Sequence, residues 1–157
     1  MPHNNPEWKF RRNSLRLQRF DYSYGCSFVT IVAKDRRRFF TDKRIAKSTI
    51  ETLLDLRIER KFNLYTYCLM PDHLHALIGV GESGLTLGRI CGEFKSLSTR
   101  KFWNFHDGKL WQREFYDHVI RNEEDFVETV KYIRLNPVRA KLVESWKDWP
   151  YTGEPNL

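Results

Sequence analysis

The chain has 157 residues, 41% hydrophobic and 15% aromatic, which suits one domain with a core of its own. Lys and Arg number 27 against 20 Asp and Glu, a net charge of +7 and a pI near 9.4, and such a balance attracts polyanions, nucleic acid being the commonest. Mean hydropathy is −0.61 and no apolar run approaches a membrane span, so a membrane role is excluded.

Residues 1–20 form a polar, basic arm with Arg11, Arg12, Arg16 and Arg19, either a disordered tail or a phosphate-binding arm. No apolar stretch resembles a secretory signal, and Cys26, Cys68 and Cys91 show no C-x-x-C pairing. Reduced thiols and a cytoplasmic location are therefore expected. Residues 24–33, YGCSFVTIVA, are β-branched and aromatic and predict a strand, and DRRR at 35–38 a polar turn. Thr41 or Asp42 caps a helix to about Arg60, with Ile50, Leu53 and Leu54 on its buried stripe. Strands follow at 63–70 and 73–80, joined by a turn at Pro71-Asp72.

A second helix is predicted over about 85–104, its apolar side made by Leu87, Ile90, Phe94 and Leu97. Arg89, Lys95 and Arg100 lie opposite. Residues 110–120 read as a fourth strand. The run EEDFVETVKYIRLNP is a helix with Glu123, Glu124 and Asp125 favouring its N-terminus and Pro137 marking its end. The order β-α-β-β-α-β plus a last helix predicts an α+β fold, a ferredoxin-like (RRM-like) antiparallel sheet with helices on one face. The main domain spans 21–145, and 146–157 is an aromatic tail with Trp146, Trp149 and Tyr151.

The motif that carries chemistry is His73-Leu74-His75. On a strand, alternate side chains share a face, so both imidazoles point the same way while Leu74, Ala76 and Ile78 point at the helices. Two rings so placed can chelate one metal ion; the plainer alternative is a pair of half-buried structural histidines. A zinc hydrolase lacks support, since no HExxH or C-x-x-C is present and Asp72 is expected on the opposite strand face. On the last helix a wheel sets Tyr132 opposite the stripe of Phe126, Val130 and Ile133, with Asn136 one turn on. Either Tyr132 is a rim residue, or its phenol meets a phosphate held at His73 and His75 and attacks phosphorus.

Several blocks in order, CLMPDHLHALI, FKSLSTRKFW, LWQREFYDHVIRNEEDF and YIRLNPVRAKLV, resemble the single-tyrosine HUH transposases, specifically the REP-associated tyrosine transposases of bacteria. The resemblance covers about residues 11–150. It implies a nuclease that cuts single-stranded DNA beside hairpins with Mg²⁺ or Mn²⁺, leaves a 5′-phosphotyrosine link and a free 3′-OH, and can rejoin strands. It implies Tyr132 as nucleophile and His73 and His75 as metal ligands. Relatives place Gln one turn after the tyrosine as third ligand; Asn136 stands there in this chain. Tyr116 and His118 are competing candidates, the first as nucleophile, the second as a further ligand or phosphate contact. Relatives act as monomers or as homodimers that exchange tyrosines.

Contacts to DNA phosphates are expected from Arg11, Arg12, Arg16, Arg36, Arg37, Arg38, Lys95, Arg100 and Lys101. Trp103, Trp111, Trp146 and Trp149 read mainly as core, with one available to stack on a base. The rival function is a non-catalytic nucleic-acid-binding module on an RRM-like sheet, and a third is a phosphodiesterase that uses water.

Overall fold

The β-branched segment CSFVTIV becomes strand β1, Cys26–Val32, buried along its whole length at the middle of a sheet. The structure is a computed structural model and describes residues 25–157. After β1 come α1 (Lys43–Arg60), β2 (Asn63–Met70), β3 (His73–Gly79), α2 (Leu87–Phe102), β4 (Tyr116–Val119), α3 (Glu123–Arg139) and β5 (Thr152–Gly153), with short 3₁₀ turns between. The strands lie in the order β4-β1-β3-β2-β5 and pair antiparallel throughout. The α+β, ferredoxin-like order predicted from sequence is therefore present, with the extra helix at the C-terminal side.

Strand alternation splits the interior in two. Val29, Ile31, Leu74, Ala76 and Ile78 face α1 and α2, where Leu53, Leu56, Ile90, Phe94 and Phe102 complete a continuous apolar core. Phe28, Cys68, Met70 and Leu77 face the other way and meet Phe126, Val130, Tyr132 and Ile133 of α3. A bulge between Leu64 and Thr66 shifts the parity of β2, so Leu64 and Leu69 both reach the first core.

Capping fixes where the helices begin. Asp42 accepts from the Arg44 amide at 2.9 Å, Thr86 from Arg89 at 3.2 Å and Asn122 from Asp125 at 2.8 Å.

Three sequence expectations are corrected. The fourth strand is only Tyr116–Val119, not 110–120. Leu110 and Trp111 turn into the helix-side core, and Trp111 forms only an isolated bridge to Ala33. Pro137 does not end α3, which runs on to Arg139. So close to the terminus, the missing proline amide forfeits one helical bond, and the amides of Ala140 and Leu142 still find the carbonyls of Asn136 and Pro137. The tail also carries an unanticipated strand. The amide of Leu69 donates to Tyr151 O at 2.8 Å, and Asn156 Oδ1 accepts from the Leu64 amide at 2.9 Å. This segment covers the β2 edge, and the close approach requires Gly153, whose added Cβ would sit 2.7 Å from the Tyr67 ring.

Candidate active site

The histidine pair forms at the first turn of β3. His73 pairs across the sheet with Val32 and His75 with Thr30, which puts both rings on the α3 side. The two Nε2 atoms stand 3.1 Å apart. Each ring is fixed from behind: His73 Nδ1 lies 2.6 Å from Asp72 Oδ1, and His75 Nδ1 lies 2.8 Å from Thr30 Oγ1. The sequence expectation for Asp72 is thus corrected. The residue sits in the turn before the strand, where alternation does not apply, and its carboxylate folds onto its neighbour. The hydrogen bond from His73, with Arg36 at 3.7 Å assisting, holds the Asp72 carboxyl below the usual carboxylate range.

This donor set fits a divalent cation. With His73 Nδ1–H given to Asp72 and His75 Nδ1–H to Thr30, two lone pairs would face each other and require a proton or a cation between them. Adjacent ligands of an octahedron with bonds of about 2.1 Å stand about 3.0 Å apart, matching the spacing of these atoms. Among the described residues no group of three or more His, Cys, Asp or Glu side chains could hold a metal ion.

Tyr132 reaches this place from α3. Its ring centroid lies 5.8 Å from that of His75 and 5.7 Å from that of Phe28, both edge-on. The wheel expectation that it faces away from the buried stripe is corrected: Tyr132 is 7% exposed, and Val130, almost opposite it around the helix, is buried too. The reason is that α3 is covered on more than one side. The sheet lies under it, and the C-terminal segment flanks it through Arg134, which pairs with Glu154 and lies 5.1 Å over the Trp146 ring. Burial raises the Tyr132 pKa above 10, and the cation of Arg139 works against that shift. The Arg139 guanidinium stands 4.1 Å over the Tyr132 ring while donating to its backbone carbonyl at 2.7 Å. Asn136 is half-buried on the following turn.

The competing pair lies on the same sheet face, on β4 across β1 from the histidine strand. Tyr116 is registered against Thr30 and His118 against Phe28. Tyr116 is 38% exposed, whereas His118 is joined to Asp125 at the start of α3, 2.9 Å from Oδ2.

The cationic candidates divide. Arg11, Arg12 and Arg16 lie outside the described residues. Arg36, Arg37 and Arg38 occupy the turn beside Pro71-Asp72, where the Phe40 amide donates to Pro71 O. Arg37 stacks on Phe39 at 4.5 Å and lies 3.3 Å from His106 Nε2. Lys95 and Arg100 line a cleft on the helix side, and Lys101 is exposed at the end of α2. Of the tryptophans, Trp111 is core, Trp146 and Trp149 are half-buried, and Trp103, 57% exposed, is the one most open to stacking. Two further residues belong to the site: Thr30 is recognisable only through strand register, and Arg139 as the cation two turns beyond Tyr132 on the same helix face.

Comparison with known proteins bears on this geometry. A family model described as IS200-like transposase matches residues 22–136. A Haemophilus influenzae protein assigned to the REP-associated tyrosine transposases is 30% identical over 146 residues, covering 82% of this chain and 79% of that one. The REP-associated tyrosine transposase of Escherichia coli K12 is 26% identical over 137 residues, covering 86% of this chain and 79% of that one. The solved structure of a REP-associated tyrosine transposase bound to a REP hairpin superposes with a TM-score of 0.70 at 24% identity, covering 87% of this chain and 81% of that one.

Proposed function

Since the chain belongs to the REP-associated tyrosine transposases of the IS200-like family, we propose that it is a metal-dependent nuclease and strand transferase acting on single-stranded DNA beside hairpins. The observation that carries this reading is the convergence of His73 Nε2 and His75 Nε2 at 3.1 Å with the Tyr132 ring next to His75. A relative of the same fold is bound to a REP hairpin, which suggests that class of DNA for this chain.

In this reading His73 and His75 would hold Mg²⁺ or Mn²⁺, with Asn136 as a candidate third ligand, and the bound ion would supply Lewis acidity toward the scissile phosphate. Asp72 and Thr30 fix the two rings so that neither must reorient when DNA arrives. Tyr132 loses its phenolic proton and its oxygen forms a bond to phosphorus; the bond to the 3′ oxygen breaks and that oxygen takes a proton. The products are a 5′-phosphotyrosine and a free 3′-OH, and attack by another 3′-OH reverses the step. Arg139 over the ring favours the phenolate that burial disfavours.

The basic arm of residues 1–20 and the turn Arg36–Arg38 would grip the DNA backbone, and 21–145 would be the nuclease domain, with 146–157 as the aromatic tail. One chain carries both tyrosine and histidines, so a monomer suffices; a homodimer exchanging tyrosines is the other arrangement. Among the described residues no helix is long and apolar enough to cross a membrane, and a DNA substrate implies the bacterial cytoplasm.

The test is an adduct assay with a hairpin-bearing oligonucleotide in Mn²⁺. Wild type and Tyr116→Phe should give a denaturant-resistant protein–DNA band; Tyr132→Phe and chelator-treated enzyme should not. A band from Tyr132→Phe but none from Tyr116→Phe would transfer the nucleophile to β4. Tight binding with no cleavage would instead favour a non-catalytic binding module, and cleavage without a band a water-using phosphodiesterase.

A further inference from the structure

We infer that a cleft at the C-terminal end of α2, separate from the histidine site, binds an unpaired single-stranded DNA flank of the substrate, with a base stacked on Trp103 and phosphates on the surrounding cations. This rests on the DNA reading above. The cleft encloses about 530 Å³ and is lined by Lys34, Lys95, Arg100, Lys109 and Arg113 together with Trp103; no carboxylate lines it. That volume is of small-molecule size, enough for one or two nucleotides and too small for a duplex.

The five cations come from three separate stretches of chain. Arg100, in the last turn of α2, is what any helix favours at that end. The same cannot be said of Lys34, which follows β1, or of Lys109 and Arg113, which lie in the loop before β4. Among the described residues only Lys34 of the five has an ion pair, to exposed Asp35 at 3.5 Å. Gathering like charges around one hollow is unfavourable until an anion enters. Lys95 is held in place, its Nζ donating to Arg113 O at 2.7 Å, and burial lowers its pKa from the usual lysine value.

Trp103 is anchored rather than loose. Its Nε1 donates to Gly108 O at 2.8 Å, and Gly108 reaches that position through a φ of +87° that side-chain-bearing residues rarely adopt. The indole is thus fixed at its edge while more than half of the residue meets solvent. An ordered aromatic beside several cations is the arrangement that binds single strands without reading sequence.

The cleft also lies within reach of the candidate active site. Its wall is tied to the end of β1, with the Lys34 amide donating to Leu110 O and the Gln112 amide to Val32 O, both at 2.8 Å. Val32 is the cross-strand partner of His73. Two strand spacings, about 10 Å, therefore separate the loop from the histidine strand. A strand leaving the imidazole pair would pass round the end of β1 into the cleft.

Fluorescence anisotropy tests this with a labelled hairpin carrying a single-stranded flank and with the same hairpin made blunt. Trp103→Ala should weaken binding of the flanked DNA about 5- to 100-fold and leave the blunt hairpin unchanged. Trp103→Phe keeps a stacking ring without the bond to Gly108 and should retain most of the affinity. The pair Arg100→Gln with Lys109→Gln should reduce the slope of log affinity against log salt by about 1.4 for the flanked DNA. A Trp103→Ala change that weakens both DNAs equally, or weakens neither, overturns the inference, as does a Trp103→Phe protein as weak as Trp103→Ala. Full displacement of the flank by millimolar inorganic phosphate would assign the cleft to a free anion and also overturn it. Anisotropy needs no cleavage, so an enzyme that forms no adduct sinks the transposase reading alone; an active enzyme indifferent to Trp103 sinks this inference alone.

Discussion

Neighbouring residues on the two faces of β3 are buried to the same depth and meet different chemistry. Leu74 is 1% exposed and His75 is 0% exposed, yet one faces α2 and α1 through hydrocarbon alone and the other faces α3 through an imidazole. Burial therefore does not separate the packing face from the chemical one. What separates them is that the imidazoles on the α3 side have each been given a partner at Nδ1, Thr30 Oγ1 for buried His75 and Asp72 for half-buried His73. A buried polar group without such a partner costs about 1–3 kcal/mol. On this face the partners also steer: with both Nδ1 atoms occupied, both Nε2 atoms are left to meet at one point.

The largest contrast in stability should come from exchanging the two faces in a mutational test. Phe94→Ala removes a fully buried ring from the helix-side core and should cost about 3–5 kcal/mol in urea unfolding. Under conditions where it is still folded, the adduct yield per folded molecule should equal that of wild type. Tyr132→Phe should do the reverse, abolishing the adduct while costing only about 0.5–1.5 kcal/mol for the hydroxyl, because the ring keeps its packing against Phe28 and His75. A folded Phe94→Ala protein that forms no adduct would mean the two faces are not separable.

The same contrast explains what could be read in advance. Strand alternation has a period of two and tolerates no drift, so placing His73 and His75 together, opposite Leu74, needed only the sequence. A helical wheel records apolarity but not what covers the helix, and so it misplaced Tyr132, whose exposed side exists only if the sheet and the Trp146 segment are ignored. Thr30 was invisible because its role depends on the pairing of β1 with β3, a contact 45 residues apart in the chain. Asp72 escapes strand alternation because it sits in the turn before β3, which begins at His73. One of the four tryptophans is expected to stack on a base, but composition does not say which; the turn closed by Gly108 is what sets Trp103 apart. Strand β5, only two residues long, offers no alternation to detect.

A smaller effect sharpens the steering argument. Asp72→Asn keeps the size of the side chain but gives up the charge that accepts from His73 Nδ1. Affinity for Mn²⁺, followed by the free-ion resonance in an EPR titration of the protein without DNA, should fall about 10- to 100-fold. The unfolding midpoint should stay near that of wild type. Unchanged Mn²⁺ affinity in a folded Asp72→Asn protein would show that His73 is oriented by its strand alone.

The smallest effect concerns how α3 delivers Tyr132. Asn122 caps the helix by accepting from the Asp125 amide at 2.8 Å, and the Arg121 amide and His118 both converge on the Asp125 carboxylate just inside. Asn122→Ala should cost about 1 kcal/mol in unfolding free energy. Asn122→Asp should cost much less, because it keeps an accepting oxygen and adds a negative charge at the positive end of the helix. Tyr132 lies beyond the second turn, past the reach of a frayed cap, and is gripped there by the ring of Phe28 and the guanidinium of Arg139. Adduct formation should therefore be nearly unaffected in both variants. If Asn122→Ala slows the adduct as much as it loosens the fold, the start of α3 and the position of its tyrosine are one mechanical unit, and the α3 face tolerates less local motion than the helix-packed face behind it.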